Sequence, residues 1–185
     1  MVSQLESRRP DAFAHARRVA DLSVRVARYA HLPASFVSHV YWGALVHDIG
    51  ELNVQPALLA KDDPVDESER IAICRHTTVG ARWLKGVSEL APLVPFARWH
   101  HERFDGLGYP EGVGAQEIPL GVAIVGVCDA WDALTGPRPH REPLTTEAAA
   151  EEMWRHAGRQ WSRVLVTWAI ECAIEVPDAD LETGQ

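Results

Sequence analysis

Seven side chains of this chain have types and positions suited to metal ions: His15, the dyad His47-Asp48, His76, the pair His100-His101, and Asp129. All offer imidazole nitrogen or carboxylate oxygen, and none offers thiolate. Such a set suits Fe, Mn, Ni or a similar divalent ion and does not resemble a structural Cys-zinc site. Seven donors are more than one octahedral ion accepts, so the set fits more than one ion. If Asp48 bridges two ions and a hydroxide completes the bridge, positions stay open for substrate oxygens. That is the arrangement of two-metal hydrolysis. Two divalent ions, less the charges of Asp48, Asp129 and hydroxide, leave a residual positive charge that attracts a phosphodiester oxygen. Taken singly, a histidine on an apolar face is an ordinary core residue. An aspartate inside an apolar helix, in contrast, is costly unless paired or metal-bound.

These side chains must be brought together by helices. His15, Val19, Leu22, Val26 and Tyr29 recur at steps of four and three, which predicts a helix from Asp11 to Ala30. Asp11 lies one turn before His15 on the same side. A second helix is expected from about Ala34 to Asp48, stopped by Gly50, then a loop from Leu52 to Val65 with one turn at Pro56. Asp66 and Glu69 read as a capping box opening a third helix that carries His76 inward. Ser88 caps a fourth helix ending at His100 and His101, with Pro92 and Pro95 limiting the regularity of its start. Residues 102–117 form a glycine-rich loop. Pro119 opens a fifth helix to about Thr135, apolar nearly all round and therefore central. Two more helices are expected, at Thr145–Ala157 and Ser162–Ile174. The class is all-α: one domain, a bundle of about seven helices over residues 11–174, with an N-terminal extension (1–10) and an acidic tail (175–185).

Composition narrows the function. The formal charge of −8 argues against a broad DNA- or RNA-binding face, which needs clustered Lys and Arg. Cys74, Cys128 and Cys172 form no C-x-x-C pair and read as reduced, buried thiols of a cytoplasmic protein. The N-terminus, MVSQLESRRPD, lacks the apolar core of a signal peptide. The run Ile118–Cys128 is too short to span a bilayer. No G-x-S-x-G, P-loop or dinucleotide fingerprint competes with the metal reading.

The motifs together resemble the HD-GYP family, a branch of the HD-domain metal phosphohydrolases. They are H-A-R-R-V-A (His15 to Ala20), H-D-I-G (His47 to Gly50), H-T-T-V-G (His76 to Gly80), H-H-E-R-F-D-G-L-G-Y-P (His100 to Pro110) and C-D-A-W-D-A-L-T (Cys128 to Thr135). The resemblance covers roughly residues 11–168. It implies an HD-domain bundle around a di- or trinuclear site of Fe or Mn, with Ni, Mg or Zn as alternatives. It further implies hydrolysis of cyclic di-GMP to linear pGpG or on to GMP. By the same resemblance, His15, His47, Asp48, His76, His100, His101 and Asp129 are the ligands. Asp48 bridges, with His47 beside it at the catalytic centre, and Asp11 is a candidate third-metal ligand. Arg138 and Arg141 match a basic pair that contacts substrate phosphates. The Gly108-Tyr109-Pro110 element shapes the rim and is linked in the family to partners such as diguanylate cyclases.

Three positions depart from the family pattern. Glu51 stands where a phosphate-facing Lys is usual, a change of two charge units beside an anionic ligand. His140 stands where Tyr is usual. The loop Lys61-Asp62-Asp63-Pro64 adds acids around Lys61, a candidate phosphate contact. Glu51 is the reason for an alternative reading: a metal-loaded nucleotide-binding or protein-interaction module without turnover. A further alternative is a hydrolase of another cyclic nucleotide or phosphoester.

Overall fold

The computed structural model describes residues 2–61, 63–137 and 142–174. The regular elements among them are all helical: α1 (Val2–Arg8), α2 (Pro10–Tyr29), α3 (Ala34–Val46), α4 (Pro56–Leu59), α5 (Glu67–Lys85), α6 (Val94–Trp99), α7 (Leu120–Thr135), α8 (Thr146–His156) and α9 (Arg163–Ile174). Two 3-10 turns, Ile49–Asn53 and Ser88–Leu93, precede α4 and α6. The seven expected helices are present. Two short ones, α1 and α4, join them. Within the N-terminal stretch expected as an extension, Leu5 of α1 is fully buried in the core. Two apolar residues, Val2 and Leu5, in a short polar helix are too few to give a periodicity.

The core is the seam where α2 meets α3, α7 and α9. Val19 and Val26 of α2, Val40 of α3, Val122 and Val125 of α7, and Val166 of α9 are all buried there. Burial on nearly every side makes α7 the central helix, as its all-round apolar pattern required. The capping box opening α5 is present: Asp66 Oδ1 accepts from Glu69 N–H at 2.9 Å, and Glu69 Oε2 accepts from Asp66 N–H at 2.8 Å. Thr145 caps α8 by accepting from Ala148 N–H.

Two boundaries differ from expectation, and the first lies at the site. α3 ends at Val46, so His47 caps it and Asp48 begins the 3-10 turn that follows. The turn is tight because it lies directly on the backbone of α5: a Cβ at Gly50 would sit 2.0 Å from the His76 carbonyl oxygen and 2.7 Å from Gly80 N. The expected fourth helix is broken into the Ser88–Leu93 turn and α6. Pro92 and Pro95 lack the N–H a continuous helix needs, and their rings crowd the preceding turn.

The close approach at Gly50 predicts that Gly50→Ala pushes the Asp48 turn off α5. The expected cost is about 3 kcal/mol, the upper end for overpacking. It is read as a lowered thermal midpoint with loss of metal binding. An unchanged midpoint would show that the two backbones can separate freely.

Candidate metal centre

Asp48 lies in the middle of the site. Its Oδ1 is 3.3 Å from His76 Nε2 and 3.2 Å from His100 Nε2. Its Oδ2 is 3.2 Å from His47 Nε2 and 3.8 Å from His15 Nε2. Asp129 Oδ1, from α7, is 3.1 Å from His15 Nε2 and 3.9 Å from His47 Nε2. The donors form two groups, Asp48-His76-His100-His101 and His15-His47-Asp129, with the ligand atoms of each within 4.8 Å of one another. Asp48 turns one oxygen to each group, as a bridging carboxylate must.

The opposite edge of each ring fixes this orientation. His47 Nδ1–H donates to Ala44 O at 2.6 Å, His76 Nδ1–H to Ile73 O at 2.8 Å, and His100 Nδ1–H to Phe96 O at 2.8 Å. A carbonyl oxygen only accepts, so each Nδ1 carries the proton and each Nε2 turns inward. His15 differs, because its Nδ1–H donates to the Asp132 carboxylate at 2.7 Å. His101 is packed between His100 and Tyr109 in tilted ring contacts, at centroid distances of 4.1 and 4.8 Å.

The electrostatics divide the imidazoles. Burial alone would lower His15, but hydrogen bonds to Asp129 and Asp132 and the charges of Asp129 and Asp48 hold it up at about 10. Burial also works against His47, which Asp48 and Asp129 raise to about 9. Burial lowers His100, and burial together with the charge on His100 takes His101 well below its ordinary value. Burial would raise Asp48, but His47, His100 and His76 hold it well below the usual carboxylate range.

The residues fit metal ions. His76 Nε2 and His100 Nε2 face each other at 3.3 Å while both approach Asp48 Oδ1. As neutral Nδ1–H tautomers they bring three lone-pair-bearing atoms together, which only a cation or extra protons can relieve. His47 Nε2 is fully enclosed, with Asp48 Oδ2 at 3.2 Å as its close polar neighbour, a position that a ligated ion shared with that oxygen satisfies.

Above the donors opens a cleft of about 980 Å³, lined among others by Arg9, His15, Asp48, Glu51, Lys61 and Tyr109. A recess of about 270 Å³ beneath the loop after His101 shares His101, Tyr109 and Asp129 with it. That loop is folded by Glu102, whose Oε1 accepts from Glu111 N–H at 2.7 Å and Gly112 N–H at 3.1 Å. It is tied to the α8–α9 connection by Phe104 N–H to Gln160 O and Asp105 N–H to Arg159 O.

All seven residues proposed as ligands from the sequence fall in the two donor groups. Asp11 lines the cleft but belongs to neither group. Lys61 Nζ pairs with Glu69 Oε2 at 2.5 Å. Glu51 Oε2 accepts from Arg9 at 3.4 Å, and burial and then the Asp48 charge push its carboxyl up to about 7, with Arg9 opposing. Arg138, Arg141, His140, Asp62 and the tail 175–185 lie outside the described residues. Sequence reasoning gave no role to Asp132, Arg18 and Arg9. Asp132 accepts from His15 Nδ1–H at one oxygen and is gripped by Arg18 at 2.6 and 2.9 Å. The signal was present: Asp132 follows Asp129 by three residues on α7, and Arg18 follows His15 by three on α2, so each shares its ligand's face.

An all-α bundle that gathers imidazoles and carboxylates from five parts of the chain into paired donor groups is a metal-binding helical domain of the His/Asp type. The sequence matches the HD domain family over residues 1–162; the chain belongs to that family, and the His100–Pro110 element places it in the HD-GYP branch. It is 33% identical over 94% of its length to a cyclic di-GMP phosphodiesterase of Thermotoga maritima, covering 48% of that protein. It is 34% identical over 78% of its length to 3'3'-cGAMP-specific phosphodiesterase 1 of Vibrio cholerae serotype O1, covering 34% of that protein. The chain thus spans half or less of these relatives. Among solved structures it resembles an HDG"Y"P protein of Bdellovibrio bacteriovorus, with TM-score 0.72 and 20% identity over 87% of this chain and 52% of that one. The HD domain of L. monocytogenes phosphodiesterase PgpH, in complex with cyclic-di-AMP, matches with TM-score 0.66 and 19% identity over 92% of each chain. At these identities the structural matches speak to the fold.

Two outcomes are expected. Asp132→Ala removes the acceptor that sets the His15 tautomer, and metal affinity falls about 10- to 100-fold while the helical content is kept. Competition titration with a metal indicator measures this, and wild-type affinity would exclude the orienting role. Secondly, His15 and His47 in the metal-free protein sit above the ordinary 6.5. Their protonation therefore stabilises the metal-free fold fully below pH 6.5, and that stability is lost as pH rises through about 9 and 10. Metal binding at pH 7.5 must displace about two protons, measurable by calorimetry in buffers of different ionisation enthalpy. Binding without proton release would contradict the assignment of these nitrogens as donors.

Proposed function

We propose that the chain is a metal-dependent phosphodiesterase that hydrolyses cyclic di-GMP to pGpG or on to GMP. One observation carries this: two donor groups, joined by the two oxygens of Asp48, form the floor of a cleft roomy enough for a dinucleotide. The activities named for the relatives support the same reading. Two divalent ions, Fe or Mn by the hard-to-borderline donor set, would be held by His15, His47 and Asp129 on one side and His76, His100 and His101 on the other, with Asp48 shared. When bound they supply Lewis acidity and a nucleophilic water at neutral pH. Asp11, on the cleft wall, is the candidate ligand for a third ion.

The chain's own groups have definite tasks. Asp48 and His47 set the charge and spacing at the centre of the floor. Tyr109 covers His101 and closes the rim, where a signalling partner such as a diguanylate cyclase would dock. Arg138 and Arg141 remain proposed phosphate contacts. The pairing of Glu51 with Arg9 weakens the reason for a non-catalytic module, because the charge reversal at position 51 is matched by a cation at the same place. A second substrate, 3'3'-cGAMP, is favoured by the Vibrio cholerae relative. The proposed setting is the cytoplasm; no helix among the described residues is long and apolar enough to cross a membrane.

The test is a panel of cyclic di-GMP, 3'3'-cGAMP and cyclic di-AMP with protein reconstituted with Fe(II) or Mn(II), products being resolved by chromatography. Cyclic di-GMP is expected to turn over fastest. Asp48→Asn is expected to lose about 10³-fold or more, as for groups that act as a unit. Fully metal-loaded protein that leaves every cyclic dinucleotide intact would overturn the proposal.

A further inference from the structure

Three Arg or Lys side chains among the described residues line the cleft: Arg9, Arg18 and Lys61. Two are committed to carboxylates at short range. Arg18 grips Asp132 through two bonds of 2.6 and 2.9 Å, and Lys61 Nζ lies 2.5 Å from Glu69 Oε2. Arg9 is held more loosely. Its Nη2 reaches Glu51 Oε2 at 3.4 Å, and its Nη1 is buried with no hydrogen-bond partner. A guanidinium offers five donors in a planar fork, and a buried donor left unpaired is unfavourable.

The fold puts this cation where an anion would arrive. Arg9 is the residue that joins α1 to α2, and its carbonyl accepts from Phe13 N–H. Its side chain extends to the 3-10 turn that begins at Asp48, meeting that turn at Glu51. Arg9 and Asp48 thus line the same cleft. A cyclic dinucleotide carries two phosphodiesters in one ring. With one at Asp48, the other needs a counter-charge within the span of that ring.

We propose that Arg9 binds the phosphate that is not being cleaved, its fork engaging the phosphate oxygens while Glu51 steadies it from one side. This makes Arg9 a specificity determinant for substrates with two phosphates, and it rests on the dinucleotide reading above. Arginine suits the task because its fork matches two phosphate oxygens at once.

The test compares wild type, Arg9→Gln, Arg9→Lys and Arg8→Gln, all metal-loaded, on cyclic di-GMP and on bis(p-nitrophenyl) phosphate, a diester with one phosphate. Arg8 is exposed at the end of α1 and does not line the cleft, so its variant controls for net charge. Arg9→Gln is expected to lower kcat/KM for cyclic di-GMP about tenfold more than for the simple diester, through KM. Arg9→Lys should recover part of that difference, and Arg8→Gln should keep the wild-type ratio. Equal losses on both substrates, no loss on either, or the same ratio change in Arg8→Gln would each overturn the assignment. A wild-type protein that cleaves the simple diester but no cyclic dinucleotide would refute the substrate reading itself, and is seen before any variant is compared.

Discussion

A carboxylate buried among imidazoles is the constraint around which this molecule is built. Asp48 has four histidine Nε2 atoms within 3.8 Å. Little of Asp48 is exposed at the cleft, and a charge so enclosed is tolerable only when compensated. Protons on the histidines can compensate it in part, but they crowd: His76 and His100 face each other across 3.3 Å. Divalent cations compensate it better, since each brings two positive charges and draws on lone pairs already turned inward. The metal-free arrangement is therefore a balanced but proton-rich substitute for the state the site suits.

The backbone enforces that arrangement. The turn after α3 can carry Asp48 to the centre only because Gly50 lets it rest on α5 beside His76. Helix carbonyls at Ala44, Ile73 and Phe96 each hold one Nδ1 proton, so three rings are oriented by the helices that carry them or adjoin them. His15 lacks such a carbonyl contact and uses Asp132, which Arg18 anchors in turn. The mode of support follows from local geometry: the residue three or four before each of those three rings supplies the acceptor, whereas His15 must look across to α7.

Much of this could be read from the sequence. The helices carrying His15, His76 and Asp129 had clear periodicity or caps, and the inward histidines followed from it. The end of α3 was read from Gly50 to within two residues, but the contact between two distant backbones that requires Gly50 there was not legible. The break before α6 was half legible: the prolines were visible, the change of helical geometry was not. Arg9 was missed for a related reason. Its partner, Glu51, lies 42 residues away, and a basic residue in a polar stretch carries no local sign of a cleft. Glu51 itself was singled out for its charge, but the cation that answers it appears only once the chain has folded.

The bond from His15 to Asp132 spans 117 residues. Its length has a consequence for how the site comes into being. Closing so long a loop costs entropy before any contact rewards it, and neither half of the chain holds a complete donor group of the second kind, since Asp129 is needed beside His15 and His47. The group His15-His47-Asp129 cannot pre-form in a fragment or on a nascent chain that has not reached α7, whereas Asp48, His76, His100 and His101 all precede it. Completion of the paired centre is thus a late event in biogenesis, and an ion held by the His15 group would certify that α2 and α7 have met.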